Sequence, residues 1–177
     1  MDASHIDTEF DNLTKKQVDQ AISATAQYIS AWTQREYALI VKNKRTPLIW
    51  PLPKGGYIIG SMRIIPGRGY WQLLNNNQEL RYEFDGKQAA IFYCLCEQIK
   101  SYSLATAILS GDTDVKRLKN DTVHYENSLA CAIKQQDSIE ISIWSARFED
   151  AKLRLSLAQA NLKKSIESAR SLPIWTK

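Results

Sequence analysis

DTDVKRLKNDTVHYENSLACAIKQQDSIEISIWSARFEDAKLRLSLAQANLKKSIESARSL, residues 112–172, contains neither glycine nor proline. Val115, Leu118, Thr122, Tyr125, Leu129, Ala132, Gln136, Ile139, Ile143, Ala146, Asp150, Leu153, Leu157 and Ala160 follow one another at alternating steps of three and four. That rhythm marks one face of an α-helix and resembles a heptad seam, with polar interruptions at Thr122, Gln136 and Asp150. Its apolar members Leu118, Tyr125, Leu129, Ile139, Ile143, Leu153 and Leu157 are the candidate interface residues. One continuous helix would be roughly 85–90 Å long at 1.5 Å per residue. The alternative is a break at Asp137, a good N-cap with Glu140 three residues on. Gln135–Ser138 is then the turn of a helical hairpin. Helices this long are uncommon, so the reading leans to the break. Pro173 ends the last helix.

Upstream the texture changes. Between Pro47 and Gly69 lie four prolines and five glycines, separating PLIW, YIIGSMRII and YWQLL. Short β-branched runs between turn residues read as strands. Asn75–Gln78 reads as a hairpin turn between Tyr70–Leu74 and Glu79–Phe84, because Asn tolerates positive φ. Gly60, inside its run, suggests a bulge or a close backbone approach. The run Tyr37–Val41 has strand length. Thr14 with Gln17 has capping-box spacing, and Val18, Ile22, Thr25, Ile29 and Trp32 mark one face of a helix running to about Arg35. A second helix is expected after Asp85–Gly86, with Gly111 just past its end.

The fold expected is therefore α+β: an N-terminal helix, a small antiparallel sheet of three to four strands, then long C-terminal helices forming a helical hairpin or coiled-coil-like pair. The divisions are an acidic arm (1–13), an α+β domain (14–111), a long helical region (112–172) and a tail (173–177).

Positive charge gathers in the middle of the chain. Residues 35–87 carry nine Lys/Arg against four acids, whereas residues 1–34 carry two against five. Lys42, Lys44, Arg45, Lys54, Arg63 and Arg68 interleave there with Trp50, Tyr57, Tyr70 and Trp71. Cations neutralise phosphates and aromatics stack bases, so Lys42, Lys44, Arg45, Lys54, Arg63, Arg68, Tyr57 and Trp71 form a candidate nucleic-acid surface. An ordinary solvated β surface looks much the same.

Catalytic and metal residues are not expected. The two histidines, His5 and His124, sit in the arm and on a helix, with no nucleophile elbow nearby. Asp121-x-x-His124 lacks the further carboxylates of a bundle metal site. Cys94-x-Cys96 lacks zinc spacing, and three cysteines form no disulfide framework. Lys54–Gly56 and Pro66–Gly69 lead into no helix, unlike a phosphate loop. No cofactor, membrane partner or small-molecule substrate is expected. An N-terminus without an apolar stretch carries no signal-peptide pattern, so a cytoplasmic or other intracellular location is expected, including inside a virus particle. The expected function is a non-enzymatic structural or assembly role through helix packing with a protein partner or with itself. A small component of a viral or phage particle would suit this architecture by analogy. The alternative is a nucleic-acid-binding accessory protein using residues 42–71.

Overall fold

The structure, a computed structural model, describes residues 14–29 and 49–171. Helix α1 (Lys15–Tyr28) starts at a complete capping box, with the Thr14 and Gln17 side chains each accepting from the other's backbone N–H. Ile29 has left helical dihedrals (φ −125°, ψ 77°), so α1 stops short of the end expected near Arg35. Trp32, the run Tyr37–Val41 and the basic residues Lys42, Lys44 and Arg45 lie outside the described residues.

Five strands follow: β1 (Ile49–Pro51), β2 (Tyr57–Ile59), β3 (Met62–Pro66), β4 (Trp71–Leu74) and β5 (Leu80–Phe84). They pair antiparallel in sequence order. The sheet exceeds the three to four strands expected, partly because YIIGSMRII is a hairpin rather than one strand. Gly60 adopts φ +57°, and a Cβ there would meet the Gln98 side chain at 2.5 Å. The positive φ of the turn favours glycine at that position, whereas the flexible Gln98 side chain could move aside. In the β4–β5 turn, Gln78 rather than an asparagine takes positive φ (61°). Asn75 Oδ1 instead accepts from the backbone N–H of Asn77 and Glu79, at 3.0 and 2.9 Å.

Helix α2 (Lys87–Gln98) lies across one face of the sheet, with every residue from Ala89 to Cys96 buried. A helix apolar all round has neighbours all round. Below it are Ile59, Ile64, Leu73 and Phe84 of the sheet; beside it are Tyr28 and Ile29, and Ala105, Ile108, Ile166 and Ala169. Thr25 fastens α1 to the sheet edge. Its hydroxyl donates to Ala21 O (2.7 Å) and accepts from Ile49 N (2.9 Å).

Helix α2 ends at residues 99–101 and not at Gly111. Lys100 adopts the left-handed conformation (φ 61°), with Ser101 N donating to Cys96 O and Lys100 N to Glu97 O. This is a Schellman closure made without glycine. Helix α3 (Tyr102–Gln135) then runs straight through Gly111. Leu162 packs beside it, at ordinary contact distance (3.4 Å) from where a Cβ would sit. A second left-handed residue, Gln136 (φ 56°), reverses the chain into helix α4 (Ser138–Arg170). Asp137 caps α4 by accepting from Ile139 N and Glu140 N, both at 3.0 Å.

Cys94 and Cys96 are buried and Cys131 is exposed. Burial pushes the Cys94 thiol well above its ordinary value and the Cys96 thiol up to about 11. The native protein is therefore expected to react rapidly with a maleimide at Cys131 alone and at all three cysteines in denaturant, as read by intact mass. Rapid native modification at two or three sites would contradict this packing.

Candidate interaction surfaces

Helices α3 and α4 form a long antiparallel hairpin. Its open end packs on α2 through Ala105, Ile108, Ile166 and Ala169. On α3, Val115, Leu118 and Ala132 are buried and Thr122, Tyr125 and Leu129 half-buried, so that part of the predicted seam faces α4. On α4 the residues turned towards α3 are Ile141, Trp144, Phe148, Ala151, Leu155, Ala158 and Leu162, again at steps of three and four. Trp144 packs against Tyr125 with ring centroids 6.1 Å apart, and Arg147 lies over its indole at 4.9 Å.

The predicted seam residues of α4 face the other way. Ile139 is 72% exposed, Ile143 45%, Leu153 61% and Leu157 58%. The three-four rhythm carries across Gln136 on one face only if the helix continues. The turn at Gln136–Asp137 reverses the chain, and the inward phase restarts at Ile141. Residues two apart on a helix are about 200° apart around its axis, so Ile139 and Ile141 begin opposite faces. Helix α4 thus carries two apolar stripes: one buried against α3, the other open to solvent.

Acidic side chains near the hairpin form exposed helix-surface pairs. Asp121 meets Arg117 (3.6 Å), Glu149 meets Lys152 (2.9 Å) and Asp150 meets Arg154 (2.8 Å). Pairs like these contribute a few tenths of a kcal/mol each, about 0.3–0.5. His124 is exposed, its ring 6.2 Å from that of Trp144. Among the described residues, no three His, Cys, Asp or Glu side chains are grouped so as to hold a metal ion.

The basic residues of the sheet are scattered differently. Lys54 in the β1–β2 turn and Arg68 in the β3–β4 turn are exposed at the same end of the sheet, and Arg63 is exposed on β3. Cross-strand register sets the faces. Tyr57 pairs with Ile64 and Trp71 with Phe84, so both aromatics lie on the face covered by α2. Arg63 pairs with Ile58, and Ile58 with Trp50, on the opposite face. Tyr57 and Trp71 are half-buried against each other (6.4 Å) and do not share a face with Arg63. Tyr57 instead joins Tyr28 beneath the Lys87 ammonium, which lies 5.7 and 5.8 Å from the two rings. A hydrogen bond with Tyr28 is the largest cause raising the Lys87 pKa, and burial is the largest raising that of Tyr28.

Comparison with protein-family models, with curated proteins and with solved structures finds no match to this chain.

Asp112 lies inside α3 and is 1% exposed. It accepts from Asp85 N (2.6 Å) and Gly86 N (3.1 Å), where α2 begins without a side-chain cap of its own. A residue distant in sequence thus supplies the missing cap. Lys119 pairs with Asp85 and Lys116 with Glu83 alongside it. Burial raises the Asp112 pKa, partly offset by those two N–H donors. With a raised folded-state value, the stability linked to the protonated carboxyl is complete below its ordinary value of 3.8 and is lost as pH rises through the folded value. Asp112→Asn removes that titration, so its stability relative to wild type should improve between pH 3 and pH 7 in denaturant unfolding. Asp112→Ala strands both N–H groups and should cost about 1–3 kcal/mol. Equal pH dependence in wild type and Asp112→Asn would contradict the assignment.

Among the described residues no helix is long and apolar enough to cross a membrane.

Proposed function

We propose that this chain is a non-enzymatic structural or assembly protein that works by helix packing. The observation that carries the reading is the second apolar stripe of α4, Ile139–Ile143–Leu153–Leu157, spaced for a helix partner and exposed to solvent. Scattered exposed hydrophobics are normal on a monomer, but a stripe in heptad phase along several turns is what association helices display. The core of the α+β part acts as a mount. It holds the open end of the hairpin and leaves the outer side of α4 presented.

The nucleic-acid reading keeps three exposed cations, Lys54, Arg63 and Arg68, which make no ion pair among the described residues. It lacks a shared platform, since Tyr57 and Trp71 stack on the covered face. The two readings separate by salt. Light-scattering mass at low and high ionic strength should show an oligomer that survives salt, because apolar contacts are not screened. A chain that stays monomeric at all concentrations, yet is retained by single-stranded nucleic acid at low salt only, would overturn the assembly reading in favour of the other.

A further inference from the structure

We propose that the partner on the outer face of α4 is a second copy of this chain, docked antiparallel about a two-fold axis that crosses the helix at the level of residue 148, whose own side chain faces α3. This rests on the assembly reading and specifies its partner. The stripe is complementary to itself when reversed about residue 148. Ile139 and Leu157 are equidistant from Phe148, as are Ile143 and Leu153, and Ala146 and Asp150. Turned end for end, the stripe stacks Ile139 on Leu157 and Ile143 on Leu153, each layer occurring twice as a closed two-fold interface requires.

The polar interruption fits the same register. Asp150 faces the small Ala146 of the second copy, beside that copy's Arg147. A parallel alignment would place Asp150 against Asp150 in a core layer, two like charges leaving water together. Along the flank, Glu140 lies between Ile139 and Ile143 and meets Arg154 of the second copy, which its own Asp150 already holds at 2.8 Å. The two Arg147 side chains, each over its own Trp144 at 4.9 Å, lie on either side of the axis. On the other flank Glu149 meets its own counterpart, each carboxylate already held by its Lys152 at 2.9 Å.

The length of the free face also agrees. In this register the Gln136–Asp137 turn of one copy lies beside Ala160 of the other. That is short of Ile166 and Ala169, where α4 enters the main core. The two hairpins would form a four-helix arrangement without either copy's α+β part obstructing the other.

The test uses the full chain with Cys131→Ser, since Cys94 and Cys96 are buried. Chains carrying Ile139→Cys and Leu157→Cys are oxidised separately and mixed. Expected is a disulfide-linked dimer in the mixture and little in either chain alone, from a protein whose light-scattering mass is that of two copies. Leu153→Glu, at a position already exposed in the single chain, should weaken the dimer roughly 100-fold while the chain stays folded. Self-linking of Ile139→Cys would overturn the antiparallel register and leave the assembly reading standing. A mass above two copies would overturn the closed dimer in the same way. A monomeric wild type, or a helix of another protein occupying the stripe, would overturn self-association itself.

Discussion

Phe92→Ala is expected to destabilise the protein by about 3–5 kcal/mol, the range for truncating a buried phenylalanine. Phe92 is 1% exposed on α2 and touches what the fold must join. Tyr28 of α1 meets its ring edge-on at 6.4 Å, and the Arg170 guanidinium near the end of α4 lies over it at 5.5 Å. The Arg170 Nε is buried and has no hydrogen-bond partner among the described residues. With the ring gone, that charged group would border an apolar void, so the cost should fall in the upper half of the range. Denaturant unfolding measures it. A loss below about 1 kcal/mol would mean that the sheet, α1 and the hairpin are not joined through α2 as described.

The second large effect separates association from folding. Ile143→Asp together with Leu153→Glu should abolish association while the single chain keeps its helical fold, because both side chains face solvent in it; the unfolding midpoint should fall only by the part that association contributes, and lose its dependence on concentration. The magnitudes are compatible with a two-fold interface. Full burial of a Leu or Ile contributes about 1.5–3 kcal/mol. Four half-exposed side chains from one copy fall near the lower end of the association cost, about 4–15 kcal/mol. The same stripe supplied by both copies doubles that contribution, to about 6–12 kcal/mol, within the range of the cost. Leu118→Asp gives the contrast. It belongs to the same sequence-derived set but is 7% exposed on α3, so a charge there should unfold the hairpin. Circular-dichroism melting with light scattering distinguishes these outcomes.

Features closed by neighbouring residues were legible in the sequence. Thr14 with Gln17, and Asp137 as a cap, carry their partners within a few positions, and both helix starts stand where read. The α+β order was legible for the same reason: turn residues and apolar period change together near Pro47 and again near Asp85. Three features were not. Gly60 is compatible with a bulge or a turn, and only the pairing of Ile59 with Met62 across it decides. Lys100 ends α2 in a left-handed conformation with no glycine to announce it. Asp112 caps a helix far away in sequence, which no local pattern reveals.

The candidate interface was legible as a set but not as a surface. Two stripes on α4 share the same three-four rhythm, and hydrophobic spacing alone does not say which faces α3. The reversal at Gln136–Asp137 assigns Ile141 and Trp144 inward and Ile139 and Ile143 outward. The candidate nucleic-acid set divided for a similar reason. In a strand, alternate residues point to opposite faces, so Tyr57 and Arg63 were close in sequence without sharing a surface.

The most direct test of the outer stripe is the light-scattering mass of wild type beside Ile143→Asp/Leu153→Glu, over a range of concentrations at high salt. The account predicts an oligomer for wild type and a folded single chain for the double variant. The same mass for both, whether one copy or several, would contradict it.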